Sequence, residues 1–153
     1  MLKKIIYVSS LGALVGLGGV YTLNRVIPLG PAVLALTAVP LLGLFFARRS
    51  FKGAVPDLVF GMLDTGLLAA FALSGGVWFG VAGAIAGSAI GDALTDGIAG
   101  FFEGGIAQWL RKRGIEEARE PLTTALGKMA GCLFGSGLVL TVAFLFGLRV
   151  NLI

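Results

Sequence analysis

The chain contains no histidine and only one cysteine, Cys132. Without histidine it cannot build a Ser-His-Asp or Cys-His catalytic site, and it cannot hold haem or zinc through imidazole. A single cysteine excludes a disulfide within the chain. No nucleophile–base pair is visible either, so we predict that the protein is not an enzyme. Any bound metal would rely on carboxylates, carbonyls, hydroxyls and water, which are the ligands of hard, divalent cations. We predict no other cofactor.

Charged residues are scarce. They make up 13% of the 153 residues, whereas 57% are hydrophobic and the mean hydropathy is +0.96. A soluble domain carries about a quarter charged residues, so a surface this apolar is not suited to water. We predict an integral membrane protein, of the inner or plasma membrane if it is bacterial, with the lipid bilayer as its surroundings. No polar linker divides the chain, which favours a single transmembrane domain over residues 1–153.

Long apolar runs predict an all-α fold, a bundle of about five transmembrane helices. Pro40 should kink the second helix, Pro56 should start the third, and a turn at residues 74–76 should separate the third from the fourth. The fourth helix exceeds the roughly 20 residues that a span needs, so residues 101–110 form either a stalk or an interfacial segment. The predicted helices cover about residues 5–23, 26–47, 57–73, 78–110 and 122–148.

Basic residues cluster on one side if five helices cross. They are Lys3, Lys4, Arg48, Arg49, Lys52, Arg111, Lys112, Arg113 and Arg119. Only Arg25 and Arg149 would lie on the other side. The positive-inside rule then places the N-terminus in the cytoplasm and the C-terminus outside. Aromatic residues are not interleaved with these bases, so we expect contacts with anionic lipid head groups and no nucleic-acid partner.

Glycines recur at intervals of four in two places. One series is Gly83, Gly87 and Gly91, and the other is Gly127, Gly131 and Gly135. Small residues at this spacing, a glycine zipper, let transmembrane helices approach closely. The pattern predicts tight packing of the fourth and fifth helices. It does not distinguish contacts within the chain from a homodimer through the glycine faces or from a larger membrane complex.

Acidic residues form two matching stripes. Residues 57–66 and residues 96–105 share the order acid, three residues, Gly, two residues, acid, one residue, Gly. An offset of seven returns a helical side chain to within about 20° of its starting direction. Each pair of acids therefore shares one helix face. The first pair is Asp57 and Asp64; the second is Asp96 and Glu103, which Asp92 joins from four residues before Asp96.

Four of these acids are predicted to lie at depth in the bilayer, namely Asp64, Asp92, Asp96 and Glu103. An aspartate at the bilayer centre costs about 2.5–3.5 kcal/mol, so four together cost on the order of 10 kcal/mol. They must therefore face one another, a cation, water or Lys128. We predict that the four carboxylates bind a metal ion or line its path, with Glu103 at the mouth. The corresponding function is a small transporter or channel for a cation, either a divalent metal or an ion coupled to protons.

Structural alternatives exist for the same residues. Asp57 either caps its helix or stands at the entry of the path, and Glu103 is either at the mouth or solvated in a stalk. The three aspartates either bind a cation or are protonated and bonded to hydroxyls as links between helices. The hydroxyls in question belong to Thr65, Thr95 and Ser88.

Lys128 is the one cation predicted within a span. It either forms an ion pair with an acid or acts as a gate that an incoming cation displaces. The competing class of function is a non-catalytic membrane subunit or assembly protein, whose buried acids bind a partner helix.

The segment Asp57-Leu-Val-Phe-Gly61-Met-Leu-Asp64-Thr-Gly66, with Phe71-Ala-Leu-Ser-Gly75 after it, resembles the first-helix motif of the vacuolar iron transporter family. In that family Asp-Gly is contiguous, whereas here Thr65 stands between the two residues. The family has five helices and exchanges ferrous iron or manganese for protons. The resemblance implies that Asp64 is a transport-site acid. It also implies a short cytoplasmic metal-collecting segment formed by Glu103, Glu116, Glu117 and Glu120, of which the last three are predicted entry residues.

Overall fold

The computed structural model describes residues 1–23, 27–112 and 120–147, with side chains described in these ranges except at residues 101–112. The described residues form helices joined by short turns and no strands, which confirms the predicted all-α class. Its helices are α1 (Leu2–Leu23), α2 (Leu29–Leu36), α3 (Ala38–Phe46), α4 (Phe51–Lys112) and α5 (Pro121–Leu145).

Four described segments are long and apolar enough to cross a membrane. They are Leu2–Leu23, Leu29–Phe46, Phe51–Gly100 and Pro121–Leu145. The second of them combines α2 and α3. Large apolar side chains remain exposed along these helices, including Leu17, Phe46 and Phe79 at 69%, 73% and 76%. Such an outer surface suits lipid, as the composition predicted.

The break between α2 and α3 falls at Thr37, so the single helix predicted over residues 26–47 is two helices. Proline has no backbone N–H, and Pro40 therefore cannot donate to the carbonyl of Leu36 four residues earlier. At this point the backbone forms a tighter turn, because the Thr37 N–H donates to the carbonyl three residues earlier, that of Leu34, at 3.1 Å. The interruption of the helix thus lies about one turn before Pro40.

Helix α4 begins at Phe51, five residues before Pro56, so the predicted start at Pro56 is wrong. The Gly53 N–H donates to Ser50 Oγ at 3.2 Å, which satisfies one of the free N–H groups at the helix start. Pro56 lies in the second turn. The hydrogen bond that it removes is close to the helix end, where the backbone has other partners available.

The chain reverses direction at Gly80, where φ is 64° and ψ is −149°. We call residues 51–79 the first arm of α4 and residues 81–112 the second arm. Gly75 lies against Gly83, and Phe71 lies against Gly87, so the two arms run antiparallel. The turn predicted at residues 74–76 is wrong, because these residues are helical and Gly75 serves as a contact position.

Helix α5 runs parallel to the first arm. Gly127 lies beside Ala54, and a Cβ added at Gly131 would collide with the Leu58 carbonyl oxygen. Four residues further on, Gly135 lies beside Met62 in the same way. The described glycines of this series therefore face the chain's own first arm, at separations that leave no room for a side chain.

Helices α2 and α3 pack antiparallel to α5, with Gly30 beside Thr141 and Gly137 beside Leu34. The innermost contact joins Leu44 of α3 and Leu126 of α5, which are both 0% exposed. Helix α1 lies at the edge of the bundle and buries none of its residues.

A group of charged side chains lies at the end of the bundle opposite Gly80. Here Lys4 at the start of α1, Arg49 after α3 and Glu120 before α5 meet. We call this region the charged end.

Candidate functional site

Three carboxylates come together between the two arms of α4. On the first arm, Asp64 lies four residues before Leu68, which contacts the second arm at Gly91. On the second arm, Asp92 follows Gly91 directly, and Asp96 lies one helical turn later. The antiparallel pairing set by Gly80 therefore places Asp64 opposite the helical turn that carries Asp92 and Asp96.

One oxygen from each of Asp64, Asp92 and Asp96 lies within 4.8 Å of the others. We call these residues the carboxylate cluster. The Asp64 side chain is half-buried, whereas Asp92 and Asp96 are exposed on the isolated chain. Asp64 Oδ1 is buried and has no hydrogen-bond partner among the described residues. The cluster is thus closed on the side of Asp64 and open on the other side.

Neighbouring hydroxyl groups are directed to their own helix. Thr95 Oγ1 lies 3.1 Å from the Gly91 carbonyl and 3.0 Å from the Asp92 carbonyl, so its single proton is shared between them. Ser88 Oγ donates to the Ile85 carbonyl at 3.3 Å. In the part of the chain that the structure describes, no hydroxyl donates to the cluster. The described residues therefore give no support to the alternative that the three aspartates link the helices through bonds to hydroxyl groups.

Three ionised carboxylates this close would repel strongly. At a separation of 4.8 Å, two unit charges interact with about 3–4 kcal/mol at an effective dielectric constant of about 20. The repulsion falls if the groups share protons or hold a cation between them. The arrangement can therefore bind a cation, release protons when one binds, or do both.

The cluster lies well down the arms from Gly80. Asp64 and Asp96 are equally far from Gly80 along the chain, at about 24 Å along each arm, and Asp92 is about 18 Å away. A hydrocarbon layer is about 30 Å thick. If Gly80 lies near one surface, the cluster is inside the layer and closer to the charged end.

An exposed stripe of small residues runs along the second arm beside the cluster. Its members are Ala82, Ala86, Ala89, Ala93, Gly97 and Gly100, all exposed on the isolated chain. Nothing lies within 4 Å of a Cβ built at Gly97 or Gly100. Asp96 comes three residues after Ala93, about 60° around the helix. We call this surface the alanine–glycine stripe.

The other acids predicted for the ion path are not part of the described carboxylate cluster. Asp57 is 9% exposed and its Cβ lies beside Gly127, inside α4 rather than at the helix start, so it is not the cap. Glu103 belongs to α4, but its side chain lies outside the described residues, as do Glu116 and Glu117.

Lys128 lies on the exposed surface of α5, where its Nζ is 4.8 Å from the centre of the Phe60 ring. A lysine at this position interacts with the face of the ring through a cation–π contact. Among the described residues, no carboxylate lies within ion-pair distance of Lys128. Phe60, which the sequence analysis did not single out, is therefore its partner.

Glu120 caps α5 rather than facing the cluster. Its Oε2 accepts hydrogen bonds from the Thr123 N–H at 2.8 Å and from Thr123 Oγ1 at 2.7 Å. Its Oε1 accepts from Lys4 Nζ at 2.6 Å, and Arg49 lies at 3.6 Å. The order Glu-Pro-Leu-Thr could have predicted this cap, because an acid before proline at the first helical position suits a helix N-terminus.

The hydrogen bond from Lys4 lowers the pKa of Glu120 from its usual 4.5 to about 2. Burial raises this pKa and is the second largest effect, while the bonds from Thr123 and the charge of Arg49 lower the pKa further. Glu120 is therefore ionised at neutral pH and joins α1, the segment after α3 and α5.

Comparison of the chain with protein-family models, with curated proteins and with solved structures found no match. The resemblance of residues 57–66 to the vacuolar iron transporter motif stays a prediction from the sequence.

Proposed function

We propose that the protein is a small membrane transporter or channel for a cation, and that the carboxylate cluster is its ion site. The observation that carries the proposal is the meeting of Asp64, Asp92 and Asp96 within 4.8 Å on two apolar arms. Three acids in such surroundings need a counter-charge or protons. A divalent metal, or an ion exchanged for protons, would supply the positive charge that balances the three carboxylates.

The buried Asp64 Oδ1 supports this proposal. A buried carboxylate oxygen without a hydrogen-bond donor is costly, and it is rarely left so in a folded protein. A cation between Asp64 and Asp92 would provide the missing partner. Oxygen-only ligands favour hard cations such as Mg²⁺, Mn²⁺ or Ca²⁺.

The proposed topology has five crossings, because each arm of α4 is long enough to span separately. Arm lengths of 29 and 32 residues exceed the roughly 20 that a span requires. Lys4 and Arg49 lie together at the charged end, which by the positive-inside rule is cytoplasmic. The N-terminus is then inside and the C-terminus outside, and Glu103 stands on the cytoplasmic side of the cluster.

The exposure of Asp92 and Asp96 supports a second candidate, a membrane subunit whose acids bind a helix of another protein. Carboxylates on the outside of one chain would face lipid at a cost of about 2.5–3.5 kcal/mol each. A basic residue on a partner helix would remove this cost without any ion transport.

A second copy of the chain would also cover these acids, and we favour it. The alanine–glycine stripe adjoins Asp96 and presents small residues at a spacing that lets helices pack closely. Two copies related by a twofold axis would bring six carboxylates together and close the open side of each cluster. The homodimer then forms through this stripe, since the described glycines at positions 83, 87 and 91 contact the first arm.

Flux measurements in liposomes test the transport proposal. Purified protein is reconstituted with indicators for Mn²⁺, Mg²⁺, Ca²⁺, K⁺ and protons, and wild type is compared with Asp64→Asn and Asp96→Asn. A charged ligand contributes about 1.5–3 kcal/mol, so each variant should lose flux of the transported ion by about ten- to a hundredfold.

Glu120→Gln is the matched control, because it removes one carboxylate far from the cluster. Its flux per folded protein should equal that of wild type. If Asp64→Asn and Asp96→Asn both transport the ion as fast as wild type, the carboxylate cluster is not the ion site. Absence of any flux, together with a co-purified basic membrane protein, would favour the partner-subunit function instead.

A further inference from the structure

An open cleft of about 410 Å³ separates α1 from the beginning of α5. Ile5 and Val8 of α1 line one wall, and Leu122 and Ala125 of α5 line the other. Lys4 also lines the cleft, and its side chain is 44% exposed. The cleft therefore combines apolar walls with an accessible cation at the charged end.

Beside the cleft, α1 is attached to α3. Tyr7 Oη donates to the Gly43 carbonyl at 2.9 Å, and Leu11 lies against Gly43. Near the charged end, Lys4 of α1 forms an ion pair with Glu120, the residue before α5. The side chains between these two attachments leave the space open.

Positive charge exceeds negative charge around the cleft. The described bases at this end are Lys3, Lys4, Arg48, Arg49 and Lys52. Glu120 accepts from Lys4 and lies near Arg49, and it is already bonded to Thr123. Lys4 lines the cleft, and its Nζ has donors beyond its one bond to Glu120. An anionic oxygen arriving here would meet unused donors.

The volume and the apolar walls of the cleft indicate which ligand it suits. Its volume falls within the range of about 300–1,000 Å³ that is typical of small-molecule sites. Its apolar walls lie along membrane-spanning helices, where acyl chains are the available apolar material. Each lysine or arginine near the membrane surface favours an anionic lipid by about 1 kcal/mol.

We propose that the α1–α5 cleft binds one anionic phospholipid, with an acyl chain along Ile5, Val8 and Leu122 and the phosphate at Lys4. The lipid fills the space between the edge helix and α5. This site does not depend on cation transport, since it lies on the other side of α5 from the contact with α4.

Native mass spectrometry tests the site directly. The full chain is released from nanodiscs of equal phosphatidylglycerol and phosphatidylcholine, and the lipids that remain bound are counted. Wild type should keep one phosphatidylglycerol, at least threefold more often than one phosphatidylcholine. Equal retention of the two lipids would overturn the proposal.

Two variants separate the head-group contact from the acyl-chain contact. Lys4→Gln should remove the preference for phosphatidylglycerol. Ala125→Phe should fill the cleft and reduce retention at least threefold, while the Lys4–Glu120 pair keeps α1 attached. Lys52→Gln removes a base at the same end that does not line the cleft, and it should behave as wild type. If Ala125→Phe retains lipid as wild type does, the acyl chain is not in the cleft.

A third comparison distinguishes a lipid from a free phosphate. Glycerol 1-phosphate, which has the head-group chemistry without the chains, is added in excess before the measurement. It should leave phosphatidylglycerol bound. Displacement of the lipid by this compound would show that only the phosphate is recognised, and the proposed apolar site would be wrong. Melting temperatures of each variant, measured in the same detergent, identify any that fail to fold.

Discussion

Asp64 on the first arm and Asp92 on the second present carboxylate oxygens within 4.8 Å of each other, on opposite sides of the reversal at Gly80. Their proximity depends on one backbone conformation. A shift of the reversal by one residue would rotate the contact positions of one arm by about 100° and separate the acids. The candidate site therefore depends on a residue about 24 Å away from Asp64.

Gly80→Ala should destabilise the protein. A φ of 64° with a ψ of −149° belongs to a region that is essentially restricted to glycine, and an alanine there costs about 1–3 kcal/mol. The melting midpoint in detergent should fall by several degrees. Gly76→Ala is the control, because its added Cβ would meet Ala84 at an ordinary 3.4 Å. Equal melting midpoints of the two variants would contradict the assigned reversal.

Gly131→Ala should also destabilise the protein, by forcing α5 away from the first arm. The added Cβ would collide with the Leu58 carbonyl, and overpacking of this kind costs about 1–3 kcal/mol. Gly19→Ala in α1 has open space around the new Cβ and should be neutral or stabilising by up to about 1 kcal/mol. Thermal unfolding of both variants in one detergent provides the comparison. A fully stable Gly131→Ala variant would be inconsistent with this packing.

Glu120 predicts a dependence of stability on acid pH. Its pKa is lowered on folding, from 4.5 to about 2, so the ionised carboxylate stabilises the fold above pH 4.5. This contribution is lost as the pH falls from about 4.5 towards 2. Removing a helix cap costs about 1 kcal/mol, so Glu120→Gln should lower the melting midpoint at pH 7 by about 3 °C. The gap between wild type and variant should narrow at pH 3. A gap that is constant with pH would show that Glu120 keeps an ordinary pKa.

Cysteine cross-linking in membranes tests the proposed homodimer. In a Cys132→Ala background, which removes the sole native cysteine, Ala89→Cys and Ala93→Cys place thiols on the alanine–glycine stripe. A disulfide requires Cα atoms about 4.4–6.8 Å apart, so oxidation should give a dimer band for these variants. Leu138→Cys, exposed on α5, should stay monomeric. The stripe is not the interface if all three variants cross-link to the same extent.

The spacing of four residues between Asp92 and Asp96 predicted that the two acids share a helix face. The sequence did not predict that the chain reverses at Gly80, which brings Asp64 to them. Offsets of four and seven identify residues that share a helix face, because helical geometry is regular. Gly75 and Gly76 have the composition of a turn, yet Gly75 is a close-approach position inside a helix. Glycine suits both a turn and a close contact between helices, so the composition alone does not locate the turn. The positive φ at Gly80 does.

The partners of the charged side chains were the least predictable part of the site. Lys128 was expected to face an acid or to act as a gate, but its described neighbour is Phe60, because position 128 projects beside the first arm rather than towards the second. Glu120 was predicted as an entry residue and instead caps α5. Contacts of this kind depend on how helices distant in sequence are aligned, and periodicity along one helix does not contain that information.

The edge position of α1 has a consequence for assembly. Because α1 is synthesised before α5, it must stay in the bilayer before Glu120 is available to bind Lys4. Helix α1 can do so, because it buries none of its residues and is long and apolar enough to span a membrane by itself. Insertion of α5 then brings Glu120 to Lys4, and the ion pair attaches α1 to the beginning of α5.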